Sequence, residues 1–343
     1  MLKKIFAASI GFLAVQSVIA QADPAKKSTT TFTGSLDAYY RYNFNDPPAG
    51  MNNLTSFTNS KNSFELGMAS IKVDHTIGKV SATMDLGFGK RAQEFSYNEV
   101  GTTLASVKQA YVSYAPSDKV KFTFGKWATH IGYELLDAYA NRNYSMSYGF
   151  SYGPFSHTGL KADISLGGKS ALMLGVANPT DYVSAPNSVK MFLAQFSTGS
   201  SNDKLKAWLN FQGGGGLTQF DLVVTGVLSD QFNIAYDGTV QTTKVGTTSS
   251  SWKAHALYLN YDPAKTFGMT LRADYFDDRK IAPVLGSLNK VFALTLSGNV
   301  KLDGLTLIPE LRLDNATGAA FTKSSGVATK STASFILAAV YKF

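Results

Sequence analysis

Apolar and polar residues alternate through most of this chain. Phe32, Gly34, Leu36, Ala38, Tyr40, Tyr42 and Phe44 share one parity; Thr33, Ser35, Asp37, Tyr39, Arg41 and Asn43 share the other. A period of two is the mark of a strand with two different faces. The run is longer than the five or six residues of a common globular strand. It suits a tilted strand that crosses a bilayer and overhangs it, since crossing alone takes about 9–11 residues. The same rule holds for Val80–Phe88, Val120–Phe124, Leu205–Phe211, Phe267–Tyr275 and Leu305–Leu313. In the last of these, Pro309 sits on the apolar parity without an N–H, which predicts a local ladder defect or bulge. Near Ala69, Ala110 and Trp252 the parity is imperfect.

The breaks between alternating runs also alternate. Short ones fall at His75–Lys79, Pro116–Lys119, Gly167–Lys169, Gly199–Asp203, Ser229–Gln231, Asp262–Lys265 and Lys301–Gly304. Longer ones fall at Asp46–Lys61, Arg91–Ala105, Ala128–Gly149, Asn178–Asn187, Gly213–Leu217, Gly238–Ser250, Asp278–Leu288 and Asn315–Lys330. Seven tight turns and eight loops predict about sixteen strands, within 14 to 18, in an all-β, antiparallel, up-and-down transmembrane barrel. An even number puts both termini on the side of the tight turns, where barrels of this kind meet the periplasm. The chain closes on Phe335, Leu337, Ala339, Tyr341 and Phe343, one parity of a final strand. Phe343 is therefore expected to be the barrel-closing aromatic, recognised by the barrel assembly machinery.

The first residues read differently. Lys3 and Lys4 precede an apolar stretch from Ile5 to Val18, and Ala20-Gln21-Ala22 offers a small-x-small cleavage site. Residues 1–22 are expected to be a secretory signal, 23–30 a short periplasmic segment and 31–343 the barrel. Beyond the signal no apolar run approaches the roughly 20 residues a membrane helix needs. Composition fits a barrel: 13% of residues are aromatic and only 16% charged, against about 25% charged in soluble domains. The chain has no Cys, so it carries no disulfide framework. Aromatics fall at both ends of the strands, as an interfacial girdle requires. Tyr40, Tyr42, Phe44, Phe88, Phe124, Phe150, Tyr152 and Tyr275 lie beside the loops; Phe32, Tyr114, Phe196, Phe232, Tyr261, Phe267, Tyr341 and Phe343 lie beside the turns.

Charge adds a lumen. Lys72 with Asp74, Lys161 with Asp163 and Arg272 with Asp274 are two residues apart, Glu310, Arg312 and Asp314 form a triplet, and Asp37 and Arg41 share a face. In hydrocarbon a Lys or Arg costs about 2–4 kcal/mol at the midplane, so these residues are expected to line water, with Asp85, Lys121 and Lys206. A sixteen-stranded barrel encloses an aqueous channel. The pore-lining set is thus Asp37, Arg41, Lys72, Asp74, Asp85, Lys121, Lys161, Asp163, Lys206, Arg272, Asp274, Glu310, Arg312 and Asp314. Acids and bases nearly balance, which predicts weak ion selectivity. The long insertion Ala128–Gly149 is expected to fold inward as a constriction, with Glu134, Asp137 and Arg142 at the narrow point. Glu134 and Asp137 would then face a basic wall from Arg41 or Lys121.

Other chemistry finds little footing. Whole-chain charge is +8, and +6 once residues 1–22 with their two lysines are set aside. No basic cluster of the kind nucleic acid needs is present. His75, His130, His157 and His255 show no metal-ligand spacing, and no cofactor or metal is expected. Ser156 beside His157 invites comparison with a barrel-borne lipase, but neighbours on a strand point to opposite faces. No enzyme is expected.

Three stretches resemble one family, the OmpL-like outer-membrane β-barrel porins of Gram-negative bacteria. They are Gly34–Asn45, Lys108–Tyr114, and the run containing Phe124–Trp127, Gly132–Glu134, Asn141–Ser145 and Pro154–Gly159. The resemblance implies a barrel in the outer membrane that passes small hydrophilic solutes passively. Outer-membrane lipids would surround it, and a homotrimer is an open assembly. A substrate-preferring channel or a surface-binding, adhesin-like barrel is the alternative.

Overall fold

The computed structural model describes residues 27–278 and 290–343. The expected signal at 1–22 and most of the loop Asp278–Leu288 lie outside them. Strand β1 (Ser28–Asn43) begins inside the segment expected to precede the barrel. It is followed by β2 (Ser63–Ile77), β3 (Val80–Phe88), β4 (Val107–Ser117), β5 (Val120–Ala128), β6 (Ser156–Gly167), β7 (Ser170–Ala177) and β8 (Met191–Gly199). The second half comprises β9 (Leu205–Gly214), β10 (Leu217–Val227), β11 (Phe232–Val245), β12 (Thr248–Ala264), β13 (Phe267–Asp277), β14 (Lys290–Leu302), β15 (Leu305–Ala316) and β18 (Ser331–Lys342). A small hairpin, β16 (Phe321–Thr322) and β17 (Ala328–Thr329), stands in the loop before β18. Each wall strand pairs antiparallel with its neighbours, and β18 pairs with both β15 and β1, so sixteen strands form a closed barrel. Among the described residues the barrel wall leaves no free edge to pair with another chain.

Alternation decides the two faces. In β12, Trp252, Ala254, Ala256, Tyr258 and Asn260 are buried on the inside, while Lys253, His255, Leu257 and Leu259 are exposed on the outside. Closure is completed by Gly34 and Phe343, which exchange N–H···O bonds of 2.9 and 3.0 Å. A Cβ on Gly34 would lie 2.1 Å from the Phe343 ring, so a glycine is what lets that ring lie against the wall.

Two of the three imperfect parities, those near Ala69 and Ala110, are bulges, whereas around Trp252 the β11–β12 pairing runs without a shift. Between β1 and β2 the register shifts at Asp37/Ala38, with Gly67 as the extra residue; between β3 and β4 it shifts at Asp85/Leu86, with Lys108 extra. A bulge turns one side chain to the opposite face. Lys108, on the lipid parity of Ala110 and Val112, is thereby brought inside and is 3% exposed. At Pro309 the β14–β15 pairing skips from Ser297↔Glu310 to Val300↔Leu307 without changing register. The ladder is interrupted, but there is no bulge.

Connection lengths differ from expectation at two places. Gly213–Leu217 is a tight turn, with Gly215 and Gly216 at φ 58° and 89° between β9 and β10. Gly238–Ser250 is not a loop: β11 and β12 stay paired to Val245↔Thr248, leaving a turn at 246–247. Two expected girdle residues are inside as well. Phe150 and Tyr152 lie on the short helix α2 (Tyr148–Tyr152) within the third loop and pack against Phe57 and Phe276.

Apolar packing inside the barrel comes from loops. Phe57 of the first loop, Ala92 and Phe95 of helix α1 (Lys90–Phe95) in the second, and Leu136, Met146, Phe150 and Phe155 at the third form one buried cluster with Met68. A second cluster joins Tyr148 and Phe321 to the wall residues Trp252, Ala254, Phe276 and Val291.

Candidate functional site: a loop clamped across the channel

The third loop, residues 129–155, enters the lumen and crosses it. Its backbone amides are held by carboxylates projecting from the wall. Asp221 on β10 accepts from Gly132 N at 3.0 Å, and Asp237 on β11 from Tyr133 N at 2.9 Å. Asp274 on β13 accepts from Tyr148 N at 2.8 Å, and Glu310 on β15 from Tyr144 N and Ser145 N at 2.8 and 3.1 Å. Arginines on the same wall take the carbonyls. Arg272 donates to Ser145 O at 2.6 Å and Met146 O at 3.2 Å; Arg312 donates to Met146 O at 2.7 Å. A buried amide or carbonyl without a partner is costly. Strand positions that carry charge thus supply what an irregular segment at membrane depth lacks.

The expected constriction residues are tied into this clamp. Glu134 is 4% exposed, pairs with Arg272 at 2.6 Å and accepts from Ser147 N at 2.7 Å. Asp137 pairs with Lys108 at 2.5 Å, and Lys108 also meets Asp85 at 3.0 Å. Neither acid faces Arg41 or Lys121 across an open gap. Arg41 instead donates to the carbonyls of Met51, Asn52 and Ser60 and anchors the first loop. Lys121 lies on β5, with Asp163 at 3.9 Å. Arg142 remains partly open, with its guanidinium on Asp262 at 2.8 Å and on Thr270 at 2.7 Å. Three cavities, of about 300, 170 and 220 Å³, meet at it.

The charge pairs read along the strands divide in two. Lys72–Asp74 and Lys161–Asp163 are ion pairs of 3.1 and 3.2 Å with half-open side chains. Lys206 lies near Asp203 of a tight turn, 4.0 Å away. Arg312–Asp314 also pairs, at 2.9 Å, but is buried against Tyr148, whose hydroxyl donates to Asp314. Arg272 and Asp274 do not bond each other; both are spent on the loop. Asp37 and Arg41 do not pair. Asp37 accepts from Tyr144 Oη at 2.7 Å with Arg91 4.0 Å away. Gly67 faces that bond: a Cβ there would fall 1.7 Å from Asp37 Oδ1 and 2.6 Å from Tyr144 Oη.

Several working residues carry no signal in the alternation. Arg91, fully buried, stacks over Tyr144 and Phe57 and donates to Leu136 O and Tyr144 O. Lys126 is turned inward beyond Gly125 (φ 136°) and rests on Val107 O and the Phe95 ring. For Lys108 and Lys126 the clue was available in a lysine at a lipid-facing parity; a bulge turns Lys108 inward, while the pairing of β5 keeps its register at Lys126. Ser156 and His157 are both buried, with His157 Nε2 3.1 Å from Thr129 Oγ1 and its ring beside His130. At the loop end of the barrel, Asp181 of the fourth loop accepts from Phe155 N, Ser156 N and Tyr97 Oη. Burial nevertheless pushes its carboxyl up to about 6.

Known structures share this architecture. The anion-selective porin of Comamonas acidovorans superposes with a TM-score of 0.65 at 11% identity, over 92% of this chain and 100% of its own. The outer-membrane channel DcaP of Acinetobacter baumannii gives 0.62 at 12%, over 92% and 97%. A loop L8 deletion mutant of Vibrio cholerae OmpT gives 0.62 at 13%, over 92% and 99%. No curated protein sequence matches the chain. The family model described as "Putative beta-barrel porin-2, OmpL-like" matches residues 29–343, nearly all of the barrel. The chain is therefore an outer-membrane porin and belongs to the OmpL-like β-barrel porin-2 family.

Proposed function

We propose that this porin is a passive and weakly ion-selective channel for small hydrophilic solutes, narrowed by residues 129–155. The carrying observation is that three close pairs of opposite charge stay open to the lumen, with Lys121 and Lys206 at 3.9 and 4.0 Å from a carboxylate. Lys72 with Asp74, Lys161 with Asp163 and Arg142 with Asp262 are neighbours of opposite sign at 3.1, 3.2 and 2.8 Å. A paired wall leaves little net field for sorting ions. The long loops all gather at one end, together with the tight turns at 215–216 and 246–247, while the other end carries tight turns alone among the described residues, which supports loops outside and both termini in the periplasm. The exposed rings of Phe32, Tyr114, Phe232 and Tyr341 suit contact with lipid headgroups on the turn side. Pairing of Phe343 with Gly34 suits delivery of the last strand to the barrel assembly machinery.

The reading extends to a homotrimer through the outer wall of β11–β13. There Tyr236 Oη and His255 Nδ1 are 2.7 Å apart on the lipid parity, with the Tyr275 ring beside His255. Polar groups at that parity are better covered by protein than by acyl chains.

The test is the reversal potential of the purified protein in a planar bilayer under a KCl gradient. The account expects a value near zero, drawn closer to it at 1 M salt, where the Debye length falls to about 3 Å. A reversal potential close to the Nernst limit of either ion contradicts it.

A further inference from the structure

Below the third loop, between it and β12, lies a cavity of about 220 Å³. Two buried polar atoms on its lining have no hydrogen-bond partner among the described residues: Tyr258 Oη and Asn143 Oδ1. Both side chains are nearly inaccessible, at 2% and 3%. Buried polar atoms are seldom left unpaired. Asn143 donates one amide proton to Ser297 Oγ at 2.6 Å, and its oxygen, an acceptor, is left without a partner. Tyr258 packs its ring on Tyr133 at 4.6 Å and leaves its hydroxyl free to donate or accept. Arg142, on the same lining, commits Nε to Thr270, Nη2 to Asp262 and Met269 O, and only one Nη1 proton to Asp262.

The cavity therefore offers an acceptor, a hydroxyl and a guanidinium N–H beside an aromatic ring. Its charges are cancelled locally: Arg142 by Asp262 and Glu134 by Arg272. An ion would lose its hydration there and meet no uncompensated counter-charge. A neutral solute with several hydroxyls would lose less and could satisfy all three groups. The volume equals about seven liquid waters, at roughly 30 Å³ each, enough for one monosaccharide-sized molecule. The cavity is on a route: Tyr133, Arg142 and Asn260 also line the larger cavity that reaches Asp203 and Lys204 at a tight turn.

We propose that this cavity is a binding subsite for neutral polyhydroxy solutes of monosaccharide size, placed along the channel on the turn side of the third loop. The proposal rests on the porin reading and sharpens it from plain diffusion to a solute preference. It is tested with full-length protein in planar bilayers, using D-glucose and, at matched ionic strength, D-gluconate. For the wild type, D-glucose should produce current block that saturates with concentration, and D-gluconate should block less. Tyr258→Phe, which removes a hydroxyl with no protein partner, should raise the half-blocking glucose concentration by about three- to tenfold, the worth of one hydrogen bond. Each protein is read against its own sugar-free conductance. Glucose block that is linear in the wild type, equal half-block in Tyr258→Phe, or tighter block by D-gluconate overturns the subsite and leaves the porin standing. Should Tyr258→Phe yield no folded barrel, saturation or linearity in the wild type decides. Absence of any channel sinks the porin reading and the subsite with it.

Discussion

At the scale of single residues, the recurring device is a wall side chain that serves an irregular loop. Asp221, Asp237, Asp274 and Glu310 each accept loop amides, while Arg272 and Arg312 take loop carbonyls. Alternation identified most of these as inward and charged. It could not tell a wet wall from a clamp, because strand parity gives direction and says nothing of what comes to meet the side chain. Gly67 and Lys108 show the other limit: one inserted residue in a strand inverts the parity that sequence reading relies on. Asp181 gives a residue-scale prediction. Its carboxyl sits at about 6 in the native protein against 3.8 for an unburied one, with burial as the main cause. A raised native value favours the neutral form, so its stabilising contribution is complete below pH 4 and is lost as pH rises through about 6. Asp181→Asn should therefore match the wild type near pH 4 and gain over it up to about pH 7, by at most about 3 kcal/mol for two pKa units. Heat-dependent gel migration across pH measures this. An advantage already full at pH 4, or a deficit at pH 7.5, contradicts the assignment.

At the scale of elements, the strands were legible where one face is apolar and illegible where both are wet. Residues 238–250 looked like a loop because Thr239, Gln241, Thr242, Thr243, Ser249 and Ser250 give no contrast between parities. They are paired strand all the same, Val245↔Thr248 being the last rung. A hairpin that overhangs the bilayer has water on both sides, so no apolar face is selected. It should then be dispensable for closure. Excising residues 244–249 and joining the rung Thr243↔Ser250 with Asn-Gly, a strong two-residue hairpin turn, should leave heat-modifiable migration and single-channel conductance within about 20% of the wild type, since the last hairpin rungs add no lumen wall. Loss of the folded band would show that the overhang supports the barrel. Tight turns were placed well because Gly, Asp and Lys clusters interrupt the alternation; Gly78 and Asp303, at φ 58° and 52°, supply the left-handed conformations such turns need.

At the scale of the whole molecule, sixteen strands make a channel and the loops decide how much of it is open. Three loops pack together through Phe57, Phe95 and Phe155, and the third crosses to β4 through Asp137 and Lys108. The half-open charges that remain, Lys72, Asp74, Lys161 and Asp163, stand on β2 and β6, away from the arginine-rich clamp on β13 and β15. Barrel, closure and inward loop were readable from the chain; the counter-strand partners of Glu134 and Asp137 were not, because they lie more than a hundred residues away or behind a bulge. The central claim is that residues 129–155 bound the conducting path. The chain has no cysteine, and Leu135 on that loop is 50% exposed inside the barrel, while Val327 on the last loop is 59% exposed. The direct measurement is single-channel conductance of Leu135→Cys and Val327→Cys before and after a bulky charged thiol reagent. The account predicts a stepwise fall in conductance of at least about one third for Leu135→Cys, because charge and bulk at a narrow point dominate flux, and little change for Val327→Cys. Unchanged conductance in fully labelled Leu135→Cys would contradict it.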